Sequence, residues 1–149
     1  MISEQVLQTL EFDKIRDQLA RHASFGASRE LVSALQPMID PASIVEAQAR
    51  TTAARALLES YADTSIGGAR DVRPAIEHAR RGGMLEAQTI LDVGSTLAAM
   101  RRLRGQVLRS QPDFAPLRHL GEQLPLLQPL EHEIERTIGP DGEVLDTAS

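Results

Sequence analysis

The chain has 149 residues, no cysteine, 3% aromatic residues, no tryptophan and a formal net charge of −5. Disulfides, thiolate metal sites and thiol nucleophiles are thereby excluded, and a core with so few rings must be built from Leu, Ile, Val, Met and Ala, which suits packed helices. A mildly acidic chain is a poor candidate for the main surface that attracts nucleic acid through its overall field.

The opening Met1-Ile2-Ser3-Glu4-Gln5 has neither a basic n-region nor an apolar h-region, and no apolar run approaches membrane-spanning length. The expectation is a soluble cytoplasmic protein with no membrane partner. Residues 3–23 have helical spacing, but their apolar stripe changes phase. At about 100° per residue, Val6, Leu7 and Leu10 fall on one side, and Phe12, Ile15, Leu19 and Ala23 fall almost opposite. One straight helix cannot bury both sets against one neighbour. The phase predicts a break between Thr9 and Phe12 that lets each set face a core.

Gly26 punctuates the chain, and a further helix over 27–35 is stopped by Pro37. Asp40-Pro41 places a capping carboxylate before a proline in the first helical position, opening a helix that runs to about Tyr61. Asp71 can cap a helix over 72–81, which Gly82-Gly83 ends. Residues 86–110 make the longest helix, with Val93, Leu97, Met100 and Val107 in one stripe and Arg104 intruding on it. Pro112 and Pro116 bracket a break, and short helices follow over 117–124 and 130–138. Pro140-Asp141-Gly142 between the β-branched Ile138 and Val144 is a tight-turn signal that predicts a short hairpin. The expected fold class is all-α: a helical region over 1–110, then a proline-punctuated region over 111–149 carrying one short β-hairpin. Asp146-Thr147-Ala148-Ser149 reads as helix-capping chemistry with no helix after it, so a continuing chain is expected.

Chemistry-bearing motifs are sparse. There is no Gly-x-x-x-x-Gly-Lys-Ser/Thr loop and no Gly-x-Gly-x-x-Gly. His22, His78, His119 and His132 lie far apart, and none has a partner at metal-ligand spacing. Glu131, Glu133 and Glu135 read as a solvated helix face. No catalytic, cofactor-binding or metal-ligating residue is assigned. The sharpest cationic cluster is Arg101, Arg102, Arg104 and Arg109, of which Arg101, Arg102 and Arg109 are the candidate phosphate contacts. Set against that, only Arg102 and Arg109 share a helix face and no aromatics interleave for base stacking. Solvated or ion-paired arginines are the favoured account of the cluster.

The order of short segments is more informative than any one of them. Thr9-Leu10-Glu11-Phe12-Asp13-Lys14-Ile15 opens the chain. Leu35-Gln36-Pro37-Met38-Ile39-Asp40-Pro41, Gly67-Gly68-Ala69-Arg70-Asp71-Val72-Arg73-Pro74-Ala75 and Gly82-Gly83-Met84-Leu85 follow, and Gly142-Glu143-Val144-Leu145-Asp146-Thr147-Ala148-Ser149 closes it. In this order the chain resembles the N-terminal part of the second-branch MutS family, the bacterial MutS paralogues that carry a C-terminal Smr domain. It departs at Glu86-Ala87, where a Ser-Pro helix start is expected. The resemblance implies a core or lever bundle of helices between an ATPase head and a clamp. Met1 leads into the core motif within a few residues; if Met1 is the natural start, no mismatch reader is expected before it, which favours the second branch. The resemblance further implies a parent that binds ATP with Mg, dimerises through its ATPase domains, acts on DNA or on stalled ribosomes, and carries endonuclease activity in its Smr domain. No catalytic residue transfers onto these 149 positions, so the segment itself is expected to be non-catalytic, with the rest of the parent chain as its partner. The alternative is a freestanding helical adaptor that binds a protein through an exposed apolar stripe.

Overall fold

The computed structural model describes residues 4–61, 67–109 and 112–146, apart from the side chains of Glu4, Pro112 and Asp113. The capping chemistry read at Thr147-Ala148-Ser149 lies outside the described residues. Among those described, eight α-helices follow one another: α1 Glu4–Thr9, α2 Phe12–His22, α3 Gly26–Ser33, α4 Pro41–Ser60, α5 Arg73–Arg80, α6 Ala87–Val107, α7 Arg118–Gln123 and α8 Gln128–Thr137. A 3₁₀ segment, Pro112–Leu117, precedes α7. None of the described helices is long and apolar enough to cross a membrane. Contacts divide the chain into two compact units, Met1–Ala49 and Arg50–Ser149, with the boundary inside α4.

In the first unit the predicted break is present, and it turns on one residue. Leu10 N–H donates to the Val6 carbonyl and Glu11 N–H to that of Gln8, both at 3.0 Å, which closes α1. Glu11 then adopts the left-handed conformation (φ 51°, ψ 38°), and its carbonyl accepts from the N–H of Lys14 to begin α2. The expected burial of both stripes is not found: Leu10 is 64% and Ile15 55% exposed, and α2 and α3 contain no buried residue. Three short helices have too little surface to enclose a core of their own. Instead α2 and α3 are stitched at their edges, Arg16 Nη1 donating to the Ser33 carbonyl at 3.1 Å and Arg29 Nε to that of Ala23 at 2.9 Å.

The start of α4 follows from Asp40. Its Oδ2 accepts the Ser43 N–H at 2.8 Å and the Ser43 hydroxyl at 2.6 Å, supplying a partner for an otherwise orphaned donor of the first turn. The side-chain bond from Ser43, then the backbone bond from the same residue, hold the Asp40 carboxyl below its ordinary 3.8. A carboxyl depressed in the folded state stabilises above its unfolded value, and the contribution fades as pH falls through the folded one. The first turn of α4 is therefore expected to loosen in acid. An NMR titration should place the Asp40 midpoint below 3.8 and Ser43→Ala should raise it; a wild-type midpoint at or above 3.8 would contradict the cap.

The core lies in the second unit. Ala53 and Leu57 of α4 meet Val107 at the end of α6 and Phe114 and Leu117 of the 3₁₀ segment, with Ala54, Ala56, Tyr61 and Leu103 packed around them. Phe114 is 1% exposed and its ring lies 6.1 Å from that of Tyr61. Helix α7 approaches through buried Gly121, where a Cβ would meet Val107 Cγ1 at 2.7 Å. Helix α5 ends as expected: Gly82 has φ +84°, its N–H donates to the Ala79 carbonyl at 2.9 Å, and Gly83 N–H reaches that of His78 at 3.0 Å.

Helix α8 packs against α6, with Leu97 and Ala99 of α6 and Ile134 and Ile138 at α8 all buried. Here the predicted hairpin is corrected. The turn forms, with Gly142 N–H donating to the Gly139 carbonyl and Gly139 N–H to that of Glu143, both at 2.9 Å. Pairing stops at a single antiparallel bridge between Ile138 and Val144. Thr137 on one arm is still the last residue of α8, and Pro140 has no N–H to give, so no strand develops.

Candidate functional site

The cationic cluster of α6 is dispersed by its surroundings, each guanidinium engaging a different partner. Arg101 Nε donates to Glu131 Oε2 of α8 at 2.9 Å, with the Arg101 side chain 40% and the Glu131 side chain 5% exposed. Arg102 Nη2 donates to the Gly67 carbonyl at 3.3 Å. Arg104 Nη1 lies within hydrogen-bond reach of the carbonyls of Gly121, Glu122 and Leu124, at 2.8, 3.0 and 3.2 Å. There it meets carbonyls at the C-terminal end of α7, of which that of Gly121 also accepts the Leu124 N–H, and positive charge at this end opposes the helix dipole. Arg109, two residues past the end of α6, stacks over the Tyr61 ring with its guanidinium carbon 5.1 Å from the centroid. Arg101, Arg102 and Arg109 thus do not converge on one partner.

The glycine-rich segment beginning at Gly67 is fastened to the same helix. Ser95 Oγ donates to the Gly68 carbonyl at 2.8 Å, and Thr96 Oγ1 accepts from the Arg70 N–H at 2.9 Å while donating to the Asp92 carbonyl at 2.7 Å. Thr96 is buried, so its hydroxyl needs both bonds. Asp71, next along, accepts from the N–H of Arg73 at 3.2 Å and pairs with the Arg73 side chain, which holds its carboxyl below the usual range. The segment over 67–73 thus anchors the entry of α5 against α6.

Glu131 corrects the reading of Glu131, Glu133 and Glu135 as one solvated face. Glu133 and Glu135 are exposed, but Glu131 is 4% exposed and its Oε1 is buried without a hydrogen-bond partner. Spacing carries the signal: Glu131, Ile134 and Ile138 stand at i, i+3 and i+7 on one helical stripe, and both isoleucines are buried. Glu131 also borders a groove of about 490 Å³, to which Leu91 and Asp92 of α6, Ile134 and Glu135 of α8, and Leu145 beyond the turn contribute. Among the described residues, no three His, Asp or Glu side chains gather in a way that would hold a metal ion.

No family model matches the chain. It is nevertheless similar, nearly end to end, to proteins named endonuclease MutS2. The protein of Symbiobacterium thermophilum is 37% identical over 148 residues, 99% of this chain and 18% of the relative. That of Geobacillus kaustophilus is 36% identical over 97% of this chain and 19% of the relative, and that of Brevibacillus brevis 35% identical over 99% and 19%. The chain spans about a fifth of the length of the curated relatives it matches.

Proposed function

Because this chain belongs to the MutS2 family over the fifth of its relatives' length that it spans, we propose that it is a non-catalytic helical core segment of a MutS-like ATPase, passing motion between an ATP-binding head and a clamp that engages DNA or stalled ribosomes. The similarity covering 97–99% of the chain carries this proposal. The relatives' name, endonuclease, supports a nuclease activity of the parent. ATP with Mg, a homodimer, and DNA or ribosomes as substrate belong to the parent in this proposal, as does a cytoplasmic location. The internal construction of α6 suits a mechanical part. Its 21 residues extend over about 31 Å at 1.5 Å per residue, and polar side chains along it clamp the Gly67–Arg70 segment, α7 and α8. A helix so braced transmits displacement instead of absorbing it.

A second proposal, a freestanding adaptor, draws on the exposure of Leu10, Ile15, Leu31 and Ile39 in the first unit. The two are separated by comparing the isolated chain with the native gene product. Under the first, the native protein is longer and turns over ATP, while the isolated chain neither binds ATP nor hydrolyses it. The isolated chain should hold DNA or RNA weakly, losing the complex between about 50 and 200 mM salt, and Arg102→Glu with Arg109→Glu should weaken it further. ATP turnover that travels with the isolated chain, or a tight complex surviving moderate salt, would overturn it. A native chain ending at Ser149 would favour the adaptor.

A further inference from the structure

Met84 is 93% exposed, the most of any large hydrophobic side chain described. The backbone that carries it is fixed on both sides. Before it, Gly82 takes up φ +84° with its N–H on the Ala79 carbonyl, and Gly83 N–H donates to that of His78. Gly83 leaves no room for a side chain, since a Cβ there would collide with the His78 ring. After it, the Glu86 carbonyl accepts the Ile90 N–H at 3.1 Å as α6 begins. None of these bonds involves the Met84 side chain, so the thioether stands in water on a link whose course does not depend on it. The other described methionines are more shielded: Met38 is 50% exposed, and Met100 is half-buried on α6.

Oxidation of a thioether by peroxide follows access to the sulfur, and the polar sulfoxide disrupts packing wherever the methionine was buried. Both effects single out residue 84. Its side chain is open to the reagent, and a polar oxygen there displaces no packed neighbour. We propose that Met84 is a reversible oxidation site, with hydrogen peroxide as the oxidant and a methionine sulfoxide reductase as the partner that resets it. The sulfur lone pair attacks one peroxide oxygen and the O–O bond breaks. The proton of the transferred hydroxyl passes to the departing one, which leaves as water, and the sulfur is oxidised by two electrons to the sulfoxide. In the return step the sulfoxide oxygen leaves as water while two thiols of the reductase close to a disulfide. The site depends on the local fold around residues 78–90 and not on what the parent protein does. It takes up an oxidising equivalent and gives it back without cost to the helices on either side.

The test uses the full-length native protein, treated with hydrogen peroxide and sampled over time. Digestion after glutamate separates Met84 from Met100 at Glu86, and mass spectrometry follows the gain of oxygen in each peptide. Met84 should convert several-fold faster than Met38 and Met100. Methionine sulfoxide reductases of both epimer specificities, supplied with dithiothreitol, should return it to the thioether in the folded protein. Met84→Gln, whose amide imitates the polar sulfoxide, should leave the urea midpoint unchanged. Conversion of Met84 no faster than that of Met38 or Met100, a sulfoxide that the reductases fail to remove, or a urea midpoint lowered by Met84→Gln would each overturn the proposal.

Discussion

Phe114→Ala is expected to destabilise the second unit by about 4 kcal/mol, near the middle of the range for emptying a buried phenylalanine site. Phe114 is the largest fully buried side chain described, and it joins three pieces of chain: α4 through Leu57 and Ala53, the end of α6 through Val107, and its own 3₁₀ turn through Leu117. Truncation removes the ring and leaves a cavity that these pieces cannot readily close, because α6 is a long helix held by the loop before α5, by α7 and by α8. Leu31→Ala makes the contrast. Leu31 is 72% exposed, and its loss should stay within about 0.5 kcal/mol. Urea unfolding of the three proteins reads both numbers. A Phe114→Ala cost below about 1 kcal/mol would mean that the 3₁₀ turn is not part of the core.

Arg101→Met is expected to cost about 3 kcal/mol, because it leaves the Glu131 carboxylate buried with neither oxygen paired. The lower end of the range for breaking a buried pair applies, since the Arg101 side chain is 40% exposed and keeps some water in the folded state. Adding Glu131→Leu should recover most of that loss, as an apolar pair of similar volume removes the stranded charge along with its partner. Unfolding free energies of the wild type, both single variants and the double variant close the cycle. A coupling energy below about 0.5 kcal/mol would reduce the pair to an ordinary surface bridge.

What was legible in the sequence was mainly local. Asp40 before Pro41 and Gly82 after α5 announce helix ends because a cap's partners lie within a few residues, and each does what its position implies; Asp71 stands one residue before the N-cap Val72 of a helix that starts at Arg73, whose N–H it accepts. The break at Glu11 was legible because a phase change in a stripe is a property of one short segment. The predicted burial of that stripe failed because burial depends on what the rest of the chain brings up to it. The arginines failed to read as individuals for the same reason. Arg101 and Glu131 are 30 residues apart, and Arg102 and the Gly67 carbonyl 35, so a cluster visible as charge is resolved only by the packing of α6 with distant segments. Glu131 was different, because its signal was present. Residues 131, 133 and 135 cannot share a helix face: a step of two positions rotates by about 200°. The step from Glu131 to Ile134 and Ile138 keeps to one. The expected hairpin does not form because Ile138, although β-branched and just before a turn signature, directly follows α8, which runs up to Thr137.

The left-handed Glu11 separates two ways of fixing an angle in a protein. Most angles between helices are enforced by interdigitated side chains, and they relax when the facing surface is removed. The bend between α1 and α2 has little of that support, since Val6, Leu10 and Ile15 all stand exposed. It is written into one backbone torsion that a side chain adopts at a cost of roughly 1–2 kcal/mol. The carbonyl of that same residue accepts the first bonds of α2, and its carboxylate pairs with Lys14 one turn on. A corner of this kind is portable. Its geometry is carried by the few residues around Glu11, so those residues can present two helices at a set inclination to whatever surface receives them, without that surface having to bend the chain.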